Sequence, residues 1–301
     1  MAKVLITTSN FGAVDKKPLD KLEKEGFEVI NNPYHRKVTV EELRKLLPDI
    51  VGLIAGLETI NKETMKNSKL KVISRVGVGV DSVDLEAAKE LGIFVKNTPD
   101  APTVAVAELT LGAMISLLRH ISNMDKDLHK KVWDKKTGIQ LSEKKVLIIG
   151  FGRIGRYLAK LLKPFNVELM AADKALSGEV DGVRIVSLKE ALPEADIICL
   201  HLSGNSQVLG KEEFLTMKKG VFILNAARGG VIDEKVLEES IKDGKVAGVW
   251  LDVFLEEPYF GSLINYPQVL LTPHVGSNTK ECKKKMEMEA VDNLISVLKN
   301  E

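Results

Sequence analysis

KKVLIIGFGRIG, residues 144–155, decides how the rest of the chain is read. A run of β-branched and apolar residues ends on glycine, as a strand covered on both faces does where it turns into a helix. Gly150, Gly152 and Gly155 then fall in G-x-G-x-x-G spacing at the mouth of the helical stretch RYLAKLLKPF, 156–165. The first glycine makes the turn, the second lets backbone approach a pyrophosphate, and the third lets helix and strand pack closely. A helix beginning there offers unpaired N–H groups and partial positive charge to an anion. Asp173 ends the next strand, eighteen residues beyond Gly155. A carboxylate there accepts from both hydroxyls of an adenine ribose and repels a 2′-phosphate, so NAD is expected, although Lys174 beside it favours NADP.

Outward from this stretch, short apolar runs alternate with helix-period segments along the whole chain. Strands are expected at 4–8, 50–55, 71–74, 145–150, 167–172, 196–201, 221–225, 246–252 and 269–272, and glycines at 26, 92 and 244 suit the left-handed position that closes a helix. Such βαβ alternation implies parallel sheets with right-handed crossovers. AKVLITTSNFG near the N-terminus starts as the 144–155 stretch does but lacks the glycine spacing, so a first α/β domain precedes the nucleotide-binding one. Pro99 and Pro102 introduce a long apolar helix over roughly 102–121, apolar enough around its circumference to suggest burial against a partner subunit. Around Pro273 the chain returns to the first domain. A last helix over about 279–299 opens with Asn278 and Glu281 in capping-box spacing and carries Met286, Ala290, Leu294 and Val297 as one core stripe.

Composition narrows the function classes. The 301 residues are 45% hydrophobic and 28% charged with a formal net charge of +1, which gives no pull toward nucleic acid or an anionic membrane. The strongest apolar run, Leu109 to Leu118, is too short to span a bilayer, and no signal region precedes the first strand. Two cysteines, Cys199 and Cys282, fit a reduced, cytoplasmic setting. No metal-ligand cluster is expected.

Three later runs carry chemistry: NAARGGVID (225–233), LDVFLEEP (251–258) and LTPHVGS (271–277). Arg228 offers a planar, permanently charged fork that fits a carboxylate. The imidazole of His274 titrates near neutrality, and a carboxylate such as Glu257 favours its charged form. A cation, an acid-held imidazole and a nicotinamide are the parts needed to move a hydride and a proton onto a 2-oxo acid. Blander roles compete: a strand-end ion pair for Arg228, a solvated loop acid for Glu257 with Glu256 as its rival, and a turn cap for His274. His201, at a strand end on the cofactor edge, is read as structural or cofactor-adjacent before catalytic. The glycines of RVGVGVD (75–81) are expected to free backbone N–H groups for a substrate carboxylate or hydroxyl, with Val76 and Val78 lining the pocket around Gly77.

RVGVGVDSVDLEAAKELGI (75–93), GFGRIG, NAARGGVID, LDVFLEEP and PHVGS together resemble the D-isomer-specific 2-hydroxyacid dehydrogenases over nearly the whole chain, most closely the phosphoglycerate dehydrogenase-like branch. The resemblance implies two doubly wound α/β domains with a cleft between them. Residues 1–98 and 274–301 would form a flavodoxin-like substrate-binding domain, and 99–273 a Rossmann NAD-binding domain. Arg228 would hold the substrate carboxylate, His274 would exchange the proton, and Glu257 would hold the imidazole. Arg153, Ile154, His201, Ala226, Ala227, Asp252 and Gly276 would join the three glycines and Asp173 along the cofactor. A homodimer is implied as well. Two departures stand out. AGLET (55–59) has Gly56 where the branch carries a phosphate-binding arginine, and HLSGNSQVLG (201–210) has Ser203 in place of a proline. The first weakens 3-phosphoglycerate as the substrate, and hydroxypyruvate or glyoxylate remain alongside it. The chain also ends without the C-terminal regulatory domain of longer relatives, so feedback through one is not expected. The alternative of another class is a NAD-sensing binding or corepressor protein on the same scaffold, which would not steadily consume NADH with any 2-oxo acid.

Overall fold

The structure is a computed structural model and describes residues 1–299. The chain divides into two compact units, one of residues 1–102 with the C-terminal stretch from Ser277, the other Thr103–Gly276. The crossings fall at 102/103 and 276/277 instead of 98/99 and 273/274, so His274 belongs to the second unit, with Arg228 and Glu257.

The first unit holds a five-stranded, all-parallel sheet: β1 (Ala2–Ile6), β2 (Phe27–Asn31), β3 (Ile50–Ala55), β4 (Val72–Arg75) and β5 (Phe94–Lys96), in the order β2-β1-β3-β4-β5. Alternate strand residues feed two cores, as the two-residue period of a strand requires. Leu5, Leu53 and Ile73 pack on one face with Leu43, Met65 and Ala88, while Val4, Ile6, Ile54 and Val72 pack on the other with Ala290, Val291 and Leu294. The latter three come from the C-terminal helix Lys280–Lys299, which is pinned to β4 where the Ser74 hydroxyl donates to the Ala290 carbonyl at 2.8 Å. Its cap is Thr279, whose hydroxyl accepts from the Cys282 N–H at 3.1 Å, one residue later than the Asn278 expected.

The second unit holds eight strands: β6 (Lys145–Ile149), β7 (Glu168–Ala172), β8 (Glu179–Val180), β9 (Val183–Ile185), β10 (Ile197–Leu200), β11 (Val221–Asn225), β12 (Val246–Leu251) and β13 (Val269–Leu271). Their order is β13-β12-β11-β10-β6-β7-β9-β8, parallel apart from the β8–β9 hairpin. The winding reverses between β6 and β10. Ligands of open α/β sheets bind beyond the carboxyl ends of the strands at such a switch point. Gly150, His201, Arg228 and Asp252 all follow the carboxyl ends of β6, β10, β11 and β12. Both sheet faces are covered, and Trp250 and Phe151 are wholly buried. The apolar helix runs Pro102–Leu118, shorter than expected. His120 then takes a left-handed φ of 53° and a second helix, Ile121–His129, sets off at 67°. Among the described residues no single helix is long and apolar enough to cross a membrane.

Candidate active site

The glycine turn behaves as its spacing dictates. Gly150 has a φ of 90°, and a Cβ there would lie 2.5 Å from the Leu202 nitrogen. A Cβ on Gly155 would lie 2.3 Å from the Gly150 carbonyl oxygen, so any side chain would push the helix Arg153–Leu162 off β6. Gly152 is different. A Cβ there would meet nothing within 4 Å, so this glycine keeps the helix N-terminus open to an incoming group and is not required by packing. Arg153 opens the helix, exposed, and Ile154 packs into the core beneath.

Asp173, half-buried at the end of β7, accepts the Phe151 N–H at 2.8 Å on one carboxylate oxygen and the Ala175 N–H at 2.9 Å on the other. Each oxygen keeps acceptor capacity for a ribose hydroxyl. His201 follows β10 beside the Gly150 turn. Both its ring nitrogens are buried and lack a hydrogen-bond partner, and burial pushes its pKa down to about 4. A buried polar ring without partners costs free energy, which a ligand that bonds it recovers. The open Gly152, the acceptors on Asp173 and the orphaned His201 ring fit a dinucleotide.

Arg228 ends a turn shaped from below by Asn225, a buried residue not singled out from the sequence. Its amide nitrogen donates to the Arg228 carbonyl at 2.9 Å, and its side-chain oxygen accepts the Ala227 N–H at 3.0 Å. Ala226 bonds back to the Leu200 carbonyl at 3.3 Å, tying the turn to β10. Arg228 itself is half-buried, with Nη1 on the Ala227 carbonyl at 2.7 Å.

Glu257 Oε2 lies 2.8 Å from His274 Nδ1, so the carboxylate that holds the imidazole is Glu257's. Its other oxygen accepts the Phe254 N–H at 3.1 Å. His274 has a φ of 52°, an uncommon conformation for a residue with a side chain, and its surroundings over-determine it. The buried Asp252 carboxylate takes the Val275 N–H at 2.9 Å, the Gly276 N–H at 2.7 Å and the Thr272 hydroxyl at 2.6 Å. Thr272 accepts in turn from the Trp250 indole N–H at 3.0 Å. Asp252 and Gly276, expected along the cofactor, are thus bonded to each other. The immediate task of Asp252 is to hold the segment that carries His274.

Two expectations about the first unit change. The N–H groups of Val76 and Gly77 are spent within the fold, on the Ala55 carbonyl at 2.9 Å and the Thr98 hydroxyl at 2.7 Å. Gly77 therefore does not offer its amide to a substrate. Its glycine answers to a φ of 135° and to the Arg75 guanidinium packed where a Cβ would stand. Val78 is exposed. At Gly56 the loop is closed by the buried Glu58, which accepts the Gly56 N–H at 3.1 and 3.2 Å and the Thr7 hydroxyl.

Among the described residues no group of three or more histidine, cysteine, aspartate or glutamate side chains is placed to hold a metal ion. Comparison with known proteins is consistent across the chain. Residues 111–276 match the family described as D-isomer specific 2-hydroxyacid dehydrogenase, NAD binding domain. A D-3-phosphoglycerate dehydrogenase of Methanocaldococcus jannaschii is 36% identical over 317 aligned residues, covering 100% of this chain and 58% of the relative, so the chain spans little more than half of that protein. A hydroxypyruvate reductase of Thermotoga maritima is 36% identical over 93% of this chain and 96% of its own length. The crystal structure of a glyoxylate reductase from Paecilomyes thermophila superposes with a TM-score of 0.89 at 28% identity, covering 100% of this chain and 96% of that one.

Proposed function

The chain belongs to the D-isomer specific 2-hydroxyacid dehydrogenase family, and we propose that within it the protein interconverts a small D-2-hydroxy acid and its 2-oxo acid with NAD as the redox partner. The observation that carries this is the Glu257–His274 hydrogen bond, held on a segment anchored by Asp252, in the same unit as the open G-x-G-x-x-G turn.

Gly150, Gly152, Gly155 and Asp173 would hold the dinucleotide, with Arg153, Ile154, His201, Ala226 and Ala227 along it; when bound, its nicotinamide gives or takes the hydride. Arg228 receives the substrate carboxylate with its guanidinium fork and draws electron density from the 2-oxo group. The Nε2 of His274, opposite the nitrogen held by Glu257, gives its proton to the carbonyl oxygen during reduction and takes it back during oxidation. Glu257 fixes the tautomer and orientation of the ring through its bond to Nδ1. On the first unit, the Gly77 amide is spent on Thr98, so Val76 and Val78 are kept as the substrate-side residues from sequence alone.

Hydroxypyruvate or glyoxylate is favoured over a phosphorylated acid, because Gly56 brings no cation to its loop and the neighbouring Glu58 is buried, accepting the Gly56 N–H. The first domain is read as the substrate-binding one. A homodimer is supported by Val104, Ile121, Leu128, Val132, Trp133 and Ile139, which expose apolar surface on and after the bent helix pair. A single-chain mass by light scattering at micromolar concentration would refute it. Two free, buried thiols, Cys199 and Cys282, support a reducing, cytoplasmic location. The functional reading is tested by supplying glyoxylate, hydroxypyruvate, phosphohydroxypyruvate, pyruvate and bulkier 2-oxo acids with NADH. Steady oxidation with at least one is expected, and inertness toward all of them sinks the proposal.

A further inference from the structure

Two consecutive backbone amides lie beside the turn that carries Arg228, and each ends on a carboxylate. Phe254 N–H donates to Glu257 at 3.1 Å, and Leu255 N–H donates to Glu234 Oε1 at 3.3 Å. Glu234 opens the helix Glu234–Lys242, six residues after Arg228. The residue next to Arg228 abuts the same segment: a Cβ on Gly229 would fall 1.9 Å from the Phe254 carbonyl carbon and 2.2 Å from the Leu255 nitrogen. The stretch 228–234 therefore meets 254–255 twice, once through a residue with no side chain and once through a carboxylate.

We infer that Glu234 is a positioning residue, which sets the register of the Glu257–His274 pair against Arg228 by gripping the Leu255 amide. The inference rests on the reaction proposed above. The plainer role for such a residue is a first-turn acid favouring the helix through its charge. Asp233 already caps this helix, accepting the N–H groups of Lys235 and Val236 at 3.0 and 3.2 Å. Glu234 is instead half-buried, and burial, with Glu256 nearby, holds its carboxyl above the usual range against the opposing Leu255 hydrogen bond. That setting suits an acceptor chosen for reach more than for charge.

Reach and charge separate in three variants. Glu234→Gln keeps an acceptor at the same distance and loses the charge. Glu234→Asp keeps the charge at the first turn and withdraws the acceptor by one methylene. Glu234→Ala loses both. Steady-state kinetics with NADH and whichever of glyoxylate or hydroxypyruvate the wild type reduces would be read beside NADH affinity by fluorescence titration and the thermal midpoint. The expected result is kcat within about twofold of wild type for Gln, and roughly ten- to hundredfold lower for Asp and Ala, since small displacements of reacting groups carry such costs. KM should move less than kcat, and NADH affinity should stay within about twofold in all three. The inference is overturned if Asp and Ala match wild type, or if kcat follows the charge so that Gln falls and Asp does not. A wild type inert on both acids removes the proposed reaction and this inference with it; turnover with an indifferent Glu234→Ala removes the inference alone.

Discussion

His201→Phe tests whether the second unit keeps an uncharged, partnerless imidazole at the nucleotide turn. In the folded chain burial pushes the His201 pKa down to about 4, against about 6.5 for a histidine free in solution. A depressed histidine pKa means that the neutral ring's contribution is fully present above pH 6.5 and is lost as pH falls from there toward 4. Linkage gives the size. Between pH 7 and pH 5 the unfolded chain takes up most of a proton at this ring and the folded chain almost none, which is worth about 2 kcal/mol. Phenylalanine fills a similar volume and cannot titrate. Urea unfolding followed by tryptophan emission isolates the relevant unit, because both tryptophans, Trp133 and Trp250, lie within Thr103–Gly276. Wild type should lose about 2 kcal/mol more stability than the variant on going from pH 7 to pH 5. The other titrating groups are common to both proteins and cancel in the difference. Parallel losses would refute the reasoning, since they would require a ring that is solvated or bonded in the fold.

Three further outcomes follow from the geometry. His274→Ala should lower kcat by roughly two to four orders of magnitude, the usual share of a general acid, while NADH titration gives near-normal affinity. Gly152→Ala should leave the thermal midpoint in place and weaken NADH binding, whereas Gly155→Ala, with its Cβ 2.3 Å from the Gly150 carbonyl oxygen, should lower both midpoint and affinity. Asp252→Asn turns a pure acceptor into a group that presents an NH₂ to donors at 2.6 to 2.9 Å. A loss of about 1–3 kcal/mol in urea unfolding is expected, with a larger fall in turnover than in NADH affinity.

Most strands that the sequence declares are buried on both faces, such as VLITT, KVLIIG and VFILN, because burial on two sides forces an unbroken apolar run. The edge strand β13, half-buried but wholly apolar, is the exception. Four strands went unannounced. Phe27–Asn31, Phe94–Lys96, Glu179–Val180 and Val183–Ile185 lie at or near sheet edges, and three of them are only two or three residues long. An edge strand needs few apolar residues, so its sequence carries little pattern. Two of the fingerprint glycines, Gly150 and Gly155, were legible for a related reason: each answers a local steric demand that only the missing Cβ meets, whereas Gly152 is marked by its spacing alone. The proposed triplet of Arg228, Glu257 and His274 stands out as residue types in compact runs, and the structure pairs Glu257, not Glu256, with His274.

What the sequence did not disclose is the set of bonds between runs. Leu255 and Glu234 stand 21 residues apart, Asp252 and Gly276 stand 24 apart, and neither pairing leaves a periodicity. Asp252 shows why this matters for assigning roles. An aspartate at a strand end in the cofactor sheet has the same sequence signature whether it faces a ligand or holds a loop. The donors that reach it decide, and here three of them come from the stretch 272–276 around His274. The same test revises Gly77, whose amide already belongs to Thr98. An assignment from sequence therefore depends least on distant partners where the chemistry resides in the side chain itself, as proposed for Arg228 and His274. It holds least where a hydrogen-bonding group must be free, because freedom depends on partners far along the chain.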